Sequence, residues 1–222
     1  MKNSLMWFRY DLRIEDNEAL SAALNNQTCL PIFILDEGFL KLKTTSNFHL
    51  NFLRDSLENL NHNLNREFNA KLNFYEGKTI EILNHLIDKY KIKNIYSNKI
   101  FKGNYFTQLD KDVDLFLNQK GVNWFQKNQF GIQLDNRIRG KWSKDWHTFM
   151  TSPKTPEIGN KNFIKDDTME SSFIPSLLSI QRGGETEALT CLNSFLNRRH
   201  KNYSKKMSSP ITAEYSCSRL SP

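Results

Sequence analysis

The 222-residue sequence predicts an α/β fold built on a doubly wound, five-stranded parallel sheet. Two observations predict it. Short apolar runs alternate with helix-like segments through brief links from Ser4 to Phe125, the rhythm that right-handed crossovers turn into a parallel sheet with helices on both faces. The apolar runs are also continuous rather than alternating, which marks strands covered on both sides. The outline is Rossmann-like. No Gly-x-Gly-x-x-Gly or phosphate-loop sequence follows any strand, however, so nucleotide binding through those motifs is unsupported.

Ser4 to Arg9 is the first strand, a short apolar run between polar residues. Asp16 and Asn17 offer helix caps, and Ala19, Leu20, Ala22, Ala23 and Leu24 continue as a short helix. Cys29 to Leu35 is the second strand, with Pro31 near its start, where a missing donor costs least. Phe48, Phe52, Leu53, Leu57, Leu60 and Leu64, at three- and four-residue spacings, predict a long helix. Leu72 to Tyr75 forms the third strand, broken by Gly77, and Thr79 opens a helix carrying Ile82, Leu83, Leu86, Ile87 and Tyr90. Ile92 to Ser97, a helix over Phe106 to Leu117, and Val122 to Phe125 complete the sheet.

From Asn128 the periodicity fails, although Trp142, Trp146, Phe149 and Met150 keep some apolar content. Thr151 to Gln181 is polar and holds Pro153, Pro156 and Pro175, the composition of a linker. After Gly183 and Gly184, residues Ala188, Leu189, Leu192, Phe195 and Leu196 predict an amphipathic helix, ending in Arg198, Arg199 and His200, where cations suit the helix dipole. Little in the rest of the chain is left to cover its apolar face. Three segments follow: an α/β domain over 1–130, a linker over 131–182 and a last segment over 183–222.

Hydrophobic residues make up 38% and charged residues 25%, enough for a core with much polar connecting chain. The net charge of +7 suits an anionic partner. Lys and Arg are nevertheless spread out, with concentrations at Arg137 to Lys144 and Arg198 to Lys206; the second could track a nucleic-acid backbone, but a solvated helix end is the commoner use of such a run. Cys29, Cys191 and Cys217 have neither disulfide-framework nor zinc spacing, and a reducing cytoplasm is the expected location. Leu5 to Phe8 is too short for a signal peptide, no stretch approaches transmembrane length, and no membrane partner is expected. The five His residues are scattered, and no metal, Ser-His-Asp or paired-carboxylate pattern is present.

Two motifs carry a resemblance. Near the amino end stand Trp7-Phe8-Arg9-Tyr10-Asp11-Leu12-Arg13, then Asp16-Asn17 and Ala19-Leu20; near the carboxyl end stand Gly183-Gly184-Glu185, Tyr203 and Cys217-Ser218-Arg219-Leu220-Ser221. In this order and at this distance they resemble the photolyase/cryptochrome family over essentially the whole chain. The resemblance implies that residues 183–222 are the first part of an all-α FAD-binding domain, most of which in that family follows the Ser-Arg-Leu-Ser-Pro sequence. The chain is therefore expected to be truncated and inactive alone.

The resemblance further implies that Tyr203, Cys217, Ser218, Arg219, Leu220 and Ser221 contact FAD, with hydroxyls and backbone N–H groups gripping its diphosphate and Arg219 as charged partner. Thr or Ser commonly stands where this chain has Cys217, which lends only its backbone and a weak thiol donor. Composition alone would read these residues as a solvated tail and Arg219 as a surface arginine. Arg9, Asp11, Arg13, Asp16 and Asn17 would edge the crevice where open α/β sheets bind ligands, or pair Asp11 with Arg13 and let Asp16 cap the next helix. His49 matches an antenna-pocket position, though a lone helical His is usually just half-buried, and Thr107-Gln108 departs from the family's antenna pattern. Trp7, Trp124, Trp142 and Trp146 are assigned to burial, not electron transfer.

The implied parent activity is deoxyribodipyrimidine photolyase, in which light-excited reduced flavin passes an electron to a pyrimidine dimer flipped out of DNA. FAD, an antenna chromophore as an option, damaged DNA and a monomeric state belong to this expectation. A cryptochrome-type blue-light photoreceptor is the alternative with the same fold and cofactor, and a stand-alone α/β pigment- or nucleotide-binding module without catalysis is the third.

Overall fold

The computed structural model describes residues 2–25, 27–101, 103–131, 140–156, 158–159, 162–166, 181–206, 210–213 and 217. The chain divides into two compact units, one of residues 1–45 with 63–172 and one of 46–62 with 173–222.

The first unit is built on a parallel sheet of strands β1 (Lys2–Phe8), β2 (Gln27–Asp36), β3 (Asn73–Gly77), β4 (Asn94–Asn98) and β5 (Asn123–Lys127), in the order β3-β2-β1-β4-β5. Every pairing is parallel, with Leu5 opposite both Leu30 and Ile95, Phe33 opposite Phe74, and Ile95 opposite Trp124. The five-stranded, doubly wound sheet expected from the apolar runs is the one present.

Side-chain parity along the strands decides what each face covers. Leu5 and Trp7 of β1, with Leu30, Ile32 and Ile34 of β2, pack with Leu83, Leu86 and Ile87 of α4 (Thr79–Tyr90) and with Val113 and Leu117 of α5 (Gly103–Lys120). From the opposite parity, Ser4 Oγ donates to the Ala23 carbonyl at 2.5 Å, seating α1 (Glu18–Leu24) on the other face. Helix α1 buries Ala19, Leu20, Ala23 and Leu24, a pattern its short length allows because Asn17 caps it by accepting the Leu20 N–H. The sequence offers Asp16 for the same capping role. Asp16 instead has φ of 50° and stands one residue outside the cap.

A short helix, α2 (Glu37–Leu40), follows β2, and α3 (Asn47–Phe68) follows it. At the amino edge of the sheet an amide chain crosses the strands: Asn123 Nδ2 donates to Asn94, Asn94 Nδ2 to Gln27, and Gln27 Nε2 to the Tyr96 hydroxyl, each at 3.1 Å.

Two parts of the expected linker have defined structure. Residues Trp142–Met150 form helix α6, which failing periodicity had not predicted, with Trp142 and Met150 more than half exposed. Asn162 to Ile164 lie parallel to β2 beside Cys29, whose N–H donates to the Asn162 carbonyl at 2.9 Å and whose carbonyl accepts from the Ile164 N–H at 2.8 Å. Phe163 stacks on Phe68 with centroids 5.6 Å apart, and Ile164 packs against the core. Buried Asp166 accepts from the Tyr75 hydroxyl at 2.8 Å and pairs with Lys89 at 3.1 Å.

The second unit contains the amino-terminal part of α3, then α7 (Glu185–Asn197), a 3-10 turn over Arg199–Asn202, α8 (Tyr203–Lys206) and α9 (Pro210–Ala213). Gly184, the residue before α7, has φ of 107° and offers no capping side chain. Asn59 of α3 supplies the cap, accepting the Glu185 N–H at 2.9 Å and donating to Thr186 Oγ1 at 2.8 Å. Leu189 and Leu196 of α7 are 54% and 56% exposed. Among the described residues no helix is long and apolar enough to cross a membrane, and no group of three or more His, Cys, Asp or Glu is placed to hold a metal ion.

Candidate functional site

The order of the sheet reverses at β1, between β2 and β4, and the loops leaving the carboxyl ends of these strands edge the crevice that such a reversal opens. The amino-terminal motif sits there, and most of its charge is committed to holding the loop. Arg9 is buried and reaches Asp110 of α5 through both guanidinium nitrogens. Its guanidinium carbon lies 4.6 Å from the Trp7 ring and 5.9 Å from the Trp124 ring, and those two rings stack at 5.9 Å.

Asp11, also buried, accepts from the Arg9 N–H at 2.9 Å, from Asn98 Nδ2 at 2.6 Å and from Asn17 Nδ2 at 3.3 Å. The expected pairing of Asp11 with Arg13 is replaced, because this carboxylate has nearer donors. Arg13 turns to the Asp16 carbonyl at 3.0 Å and to Gln129 at 3.4 Å. Asp16 accepts from the Thr155 N–H at 2.8 Å, which is the main reason its carboxyl titrates below the usual aspartate range.

Asp36, at the end of β2, collects four donors: the Gly38 N–H at 2.8 Å, the Thr79 N–H at 3.0 Å, the Thr79 hydroxyl at 2.6 Å and the Tyr105 hydroxyl. Burial pushes this carboxyl up, but hydrogen bonds from Thr79, Tyr105 and Gly38 outweigh it and hold the group low. The Tyr105 hydroxyl is pushed up, first by burial and then by donating to Asp36. Beside it, Phe106 has three aromatic neighbours, Tyr105, Tyr10 and Phe39, with centroids 5.2, 5.3 and 5.7 Å away. Burial raises the Tyr10 hydroxyl to about 12, against the opposing charge of Arg9. This edge therefore offers flat apolar rings over a network whose polar groups are largely satisfied.

Asp36, Asn98 and Asp110 were not singled out in the sequence. The available signal was position: Asp36 and Asn98 are the polar residues that close apolar strands at the carboxyl edge. His49, by contrast, belongs to the second unit, where its Nδ1 engages Ser46 at 3.2 Å, a local contact at the start of α3.

In the second unit Tyr203 and Cys217 each adjoin one member of the Phe195–Arg199 pair. The Tyr203 ring meets Phe195 edge-on at 5.4 Å, and the Arg199 guanidinium lies 5.8 Å from the same Phe195 ring. Arg199 donates through one nitrogen to the Cys217 carbonyl and through the other to the Cys191 carbonyl at 2.7 Å. Phe195 and Arg199 thus form the platform, a role their spacing did not announce. Tyr203 remains 38% exposed. Ser218, Arg219, Leu220 and Ser221 lie outside the described residues.

The chain is 27% identical to cryptochrome-2 of Gallus gallus over 88% of its own length and 38% of that protein. A solved class III photolyase from Agrobacterium tumefaciens superposes on the whole chain with a TM-score of 0.78 at 21% identity, the match taking in 49% of that structure. An archaeal photolyase from Sulfolobus tokodaii, solved with two FAD molecules, matches 86% of the chain and 46% of that structure with a TM-score of 0.68 at 22% identity. The chain thus spans well under two thirds of the proteins it is similar to. The family model described as DNA photolyase matches residues 4–130, the stretch that holds the sheet and the amino-terminal motif, and on that match the chain belongs to the DNA photolyase family, which it shares with cryptochromes.

Proposed function

We propose that the chain serves a deoxyribodipyrimidine photolyase, a monomeric cytoplasmic flavoprotein that repairs damaged DNA. Its parts under this reading are an α/β domain over 1–130, a linker over 131–182 and the start of an FAD-binding domain over 183–222. The observation that carries the reading is the convergence of Tyr203 and Cys217 on the Arg199–Phe195 platform in a chain of this family.

The residues present fit one end of the cofactor. Arg199 holds the carbonyl of Cys217, the residue that precedes the Ser218-Arg219-Leu220-Ser221 run in the sequence. Backbone N–H groups and serine hydroxyls in that run would donate to the diphosphate, and Arg219 would supply charge. Bound FAD supplies light-driven electron donation to a pyrimidine dimer. An antenna chromophore belongs to the same reading, and the cluster of Tyr10, Phe39, Tyr105 and Phe106 would offer it apolar rings to pack against.

The experiment purifies the gene product that carries this chain, records its visible spectrum, and illuminates it with an oligonucleotide containing a thymine dimer. Dimer splitting in blue light but not in the dark is expected. Bound flavin without splitting would favour the photoreceptor alternative, which the similarity to cryptochrome-2 of Gallus gallus supports. A product that never binds flavin would leave only the pigment- or nucleotide-binding module. Residues 1–222 by themselves are expected to be colourless, because one helix and one loop cover little of a dinucleotide.

A further inference from the structure

Tyr105 ties two loops together at the switch point of the sheet. It stands in the first turn of α5, the helix reached from β4, yet its hydroxyl donates to Asp36 at the end of β2. Strands β4 and β2 flank β1, so the contact joins segments that leave strands two spacings apart, about 10 Å, with the central strand between them. Its neighbour Phe106 strengthens the bridge, edge-on to Tyr10 of the loop after β1 at 5.3 Å and tilted against Phe39 of α2 at 5.7 Å. Gly38 makes room for the phenol ring: a β-carbon there would lie 2.9 Å from Tyr105 Cε2 and closer still to the hydroxyl. The crevice edge thus holds one planar ring with one hydroxyl donor, bonded to a carboxylate that the Gly38 N–H, the Thr79 N–H and the Thr79 hydroxyl fix in place.

We propose that Tyr105 is a gate whose own phenol fills the seat of a planar heteroaromatic ligand at this crevice. A ring that takes its place must pack among Tyr10, Phe39 and Phe106 and bring an N–H donor for the Asp36 oxygen that the hydroxyl leaves. A flavin ring, with its imide N–H, meets both demands. Tyr105 and the ligand then compete for one carboxylate oxygen, so the apparent affinity is the open-state affinity reduced by the fraction of chains in which the gate stands open. Gly38 keeps that fraction low, because only a residue without a side chain leaves space for the closed position. The gate stands on the contacts of Tyr105; that its ligand is an antenna pigment rests on the photolyase reading above.

The test titrates the 222-residue chain with riboflavin, which carries the ring and its N–H but no phosphate for basic groups to hold, and reads binding from the change in flavin fluorescence. The parent is expected to bind weakly. Tyr105→Phe keeps the ring and loses the bond to Asp36, whereas Gly38→Ala keeps the tyrosine and pushes it from its seat. Each should tighten binding roughly tenfold, the worth of a hydrogen bond to a charged group. Riboflavin methylated at the imide nitrogen lacks the donor and should gain little from either change. The two variants open the gate by separate routes, so if circular dichroism shows one of them unfolded the other still decides. Equal affinity in the parent and the folded variants, or no binding by any of them, would overturn the gate. Equal gains with the methylated flavin would refute the competition for Asp36 and overturn it as well. Riboflavin has no diphosphate, so none of these outcomes depends on the residues around Cys217, and dimer splitting by the gene product decides the photolyase reading separately.

Discussion

Asn59 and Glu185 are joined by a hydrogen bond of 2.9 Å across 126 positions of sequence, the carboxamide of α3 accepting the first N–H of α7. The same side chain donates to Thr186 Oγ1 at 2.8 Å, so one residue does in space what a cap normally does from the preceding position. Asn59→Ala should lower the stability of the second unit by about 1 kcal/mol, the usual cost of losing a cap, and Asn59→Asp should retain most of it. Urea denaturation followed by far-ultraviolet circular dichroism measures the difference, and an alanine variant as stable as the parent would refute the cap.

Gly183 lets α7 begin this close to α3. A β-carbon there would lie 2.1 Å from the Phe52 carbonyl oxygen and 2.4 Å from Ser56 Oγ. Because the first obstacle is backbone, Gly183→Ala should cost about 1–3 kcal/mol and expose Glu185–Asn197 to proteases. Cleavage kinetics unchanged from the parent would count against this packing.

The Arg9–Asp110 pair predicts an asymmetry between its substitutions. Arg9 has a side chain only 3% exposed and Asp110 one that is 23% exposed, so removal of the aspartate strands the more buried charge beside the stacked pair of indoles. Asp110→Ala should destabilise the first unit by roughly 3 kcal/mol, and a second change, Arg9→Met, should recover part of that loss. A double variant no more stable than Asp110→Ala would show that the cation contributes more than its cost of burial.

Asp36 predicts an acid transition. Its folded carboxyl is held below the ordinary value by the Thr79, Tyr105 and Gly38 donors despite the opposing effect of burial. A depressed carboxyl contributes stability that is complete above the unfolded value, about 4, and is lost as pH falls through the lower folded value. Stability measured from pH 6 down to pH 3 should therefore decline, and Asp36→Asn should flatten that decline while lowering stability at neutral pH. Tyr105→Phe, which removes one donor, should move the acid limb toward higher pH.

Asp166 holds the strap beside β2. It accepts from Tyr75 at 2.8 Å and pairs with Lys89 at 3.1 Å, with its own side chain 4% exposed. Asp166→Ala should make the region around Asn162–Ile164 cleave at least several-fold faster in limited proteolysis, whereas Lys89→Met, which removes only the more exposed partner, should have a smaller effect. Equal cleavage in all three proteins would show that the Cys29 backbone bonds suffice.

Most of the sheet was legible because strands covered on both faces must be apolar throughout, and Leu30 to Leu35 could serve as little else. The strand ends were less so: β2 runs on to Asp36, a residue that propensity assigns to a turn and that four donors hold in place. Helix α6 was missed because Trp142, Trp146, Phe149 and Met150 sit in a short amphipathic stretch without a capping side chain, among residues of linker composition. Tyr203 and Cys217 were legible as motif members, but Arg199 read as an ordinary cation at a helix end.

The sequence by itself determined the parallel sheet, the helices that cover it and the motifs at each end, since periodicity and local residue chemistry operate over neighbouring positions. Only the tertiary structure decided which distant groups meet: Asn59 with Glu185, Arg9 with Asp110, and Arg199 with both Cys191 and Cys217. The reason is physical. Buried polar groups must find partners, and no spacing along the chain encodes which partner packing will bring within 3 Å.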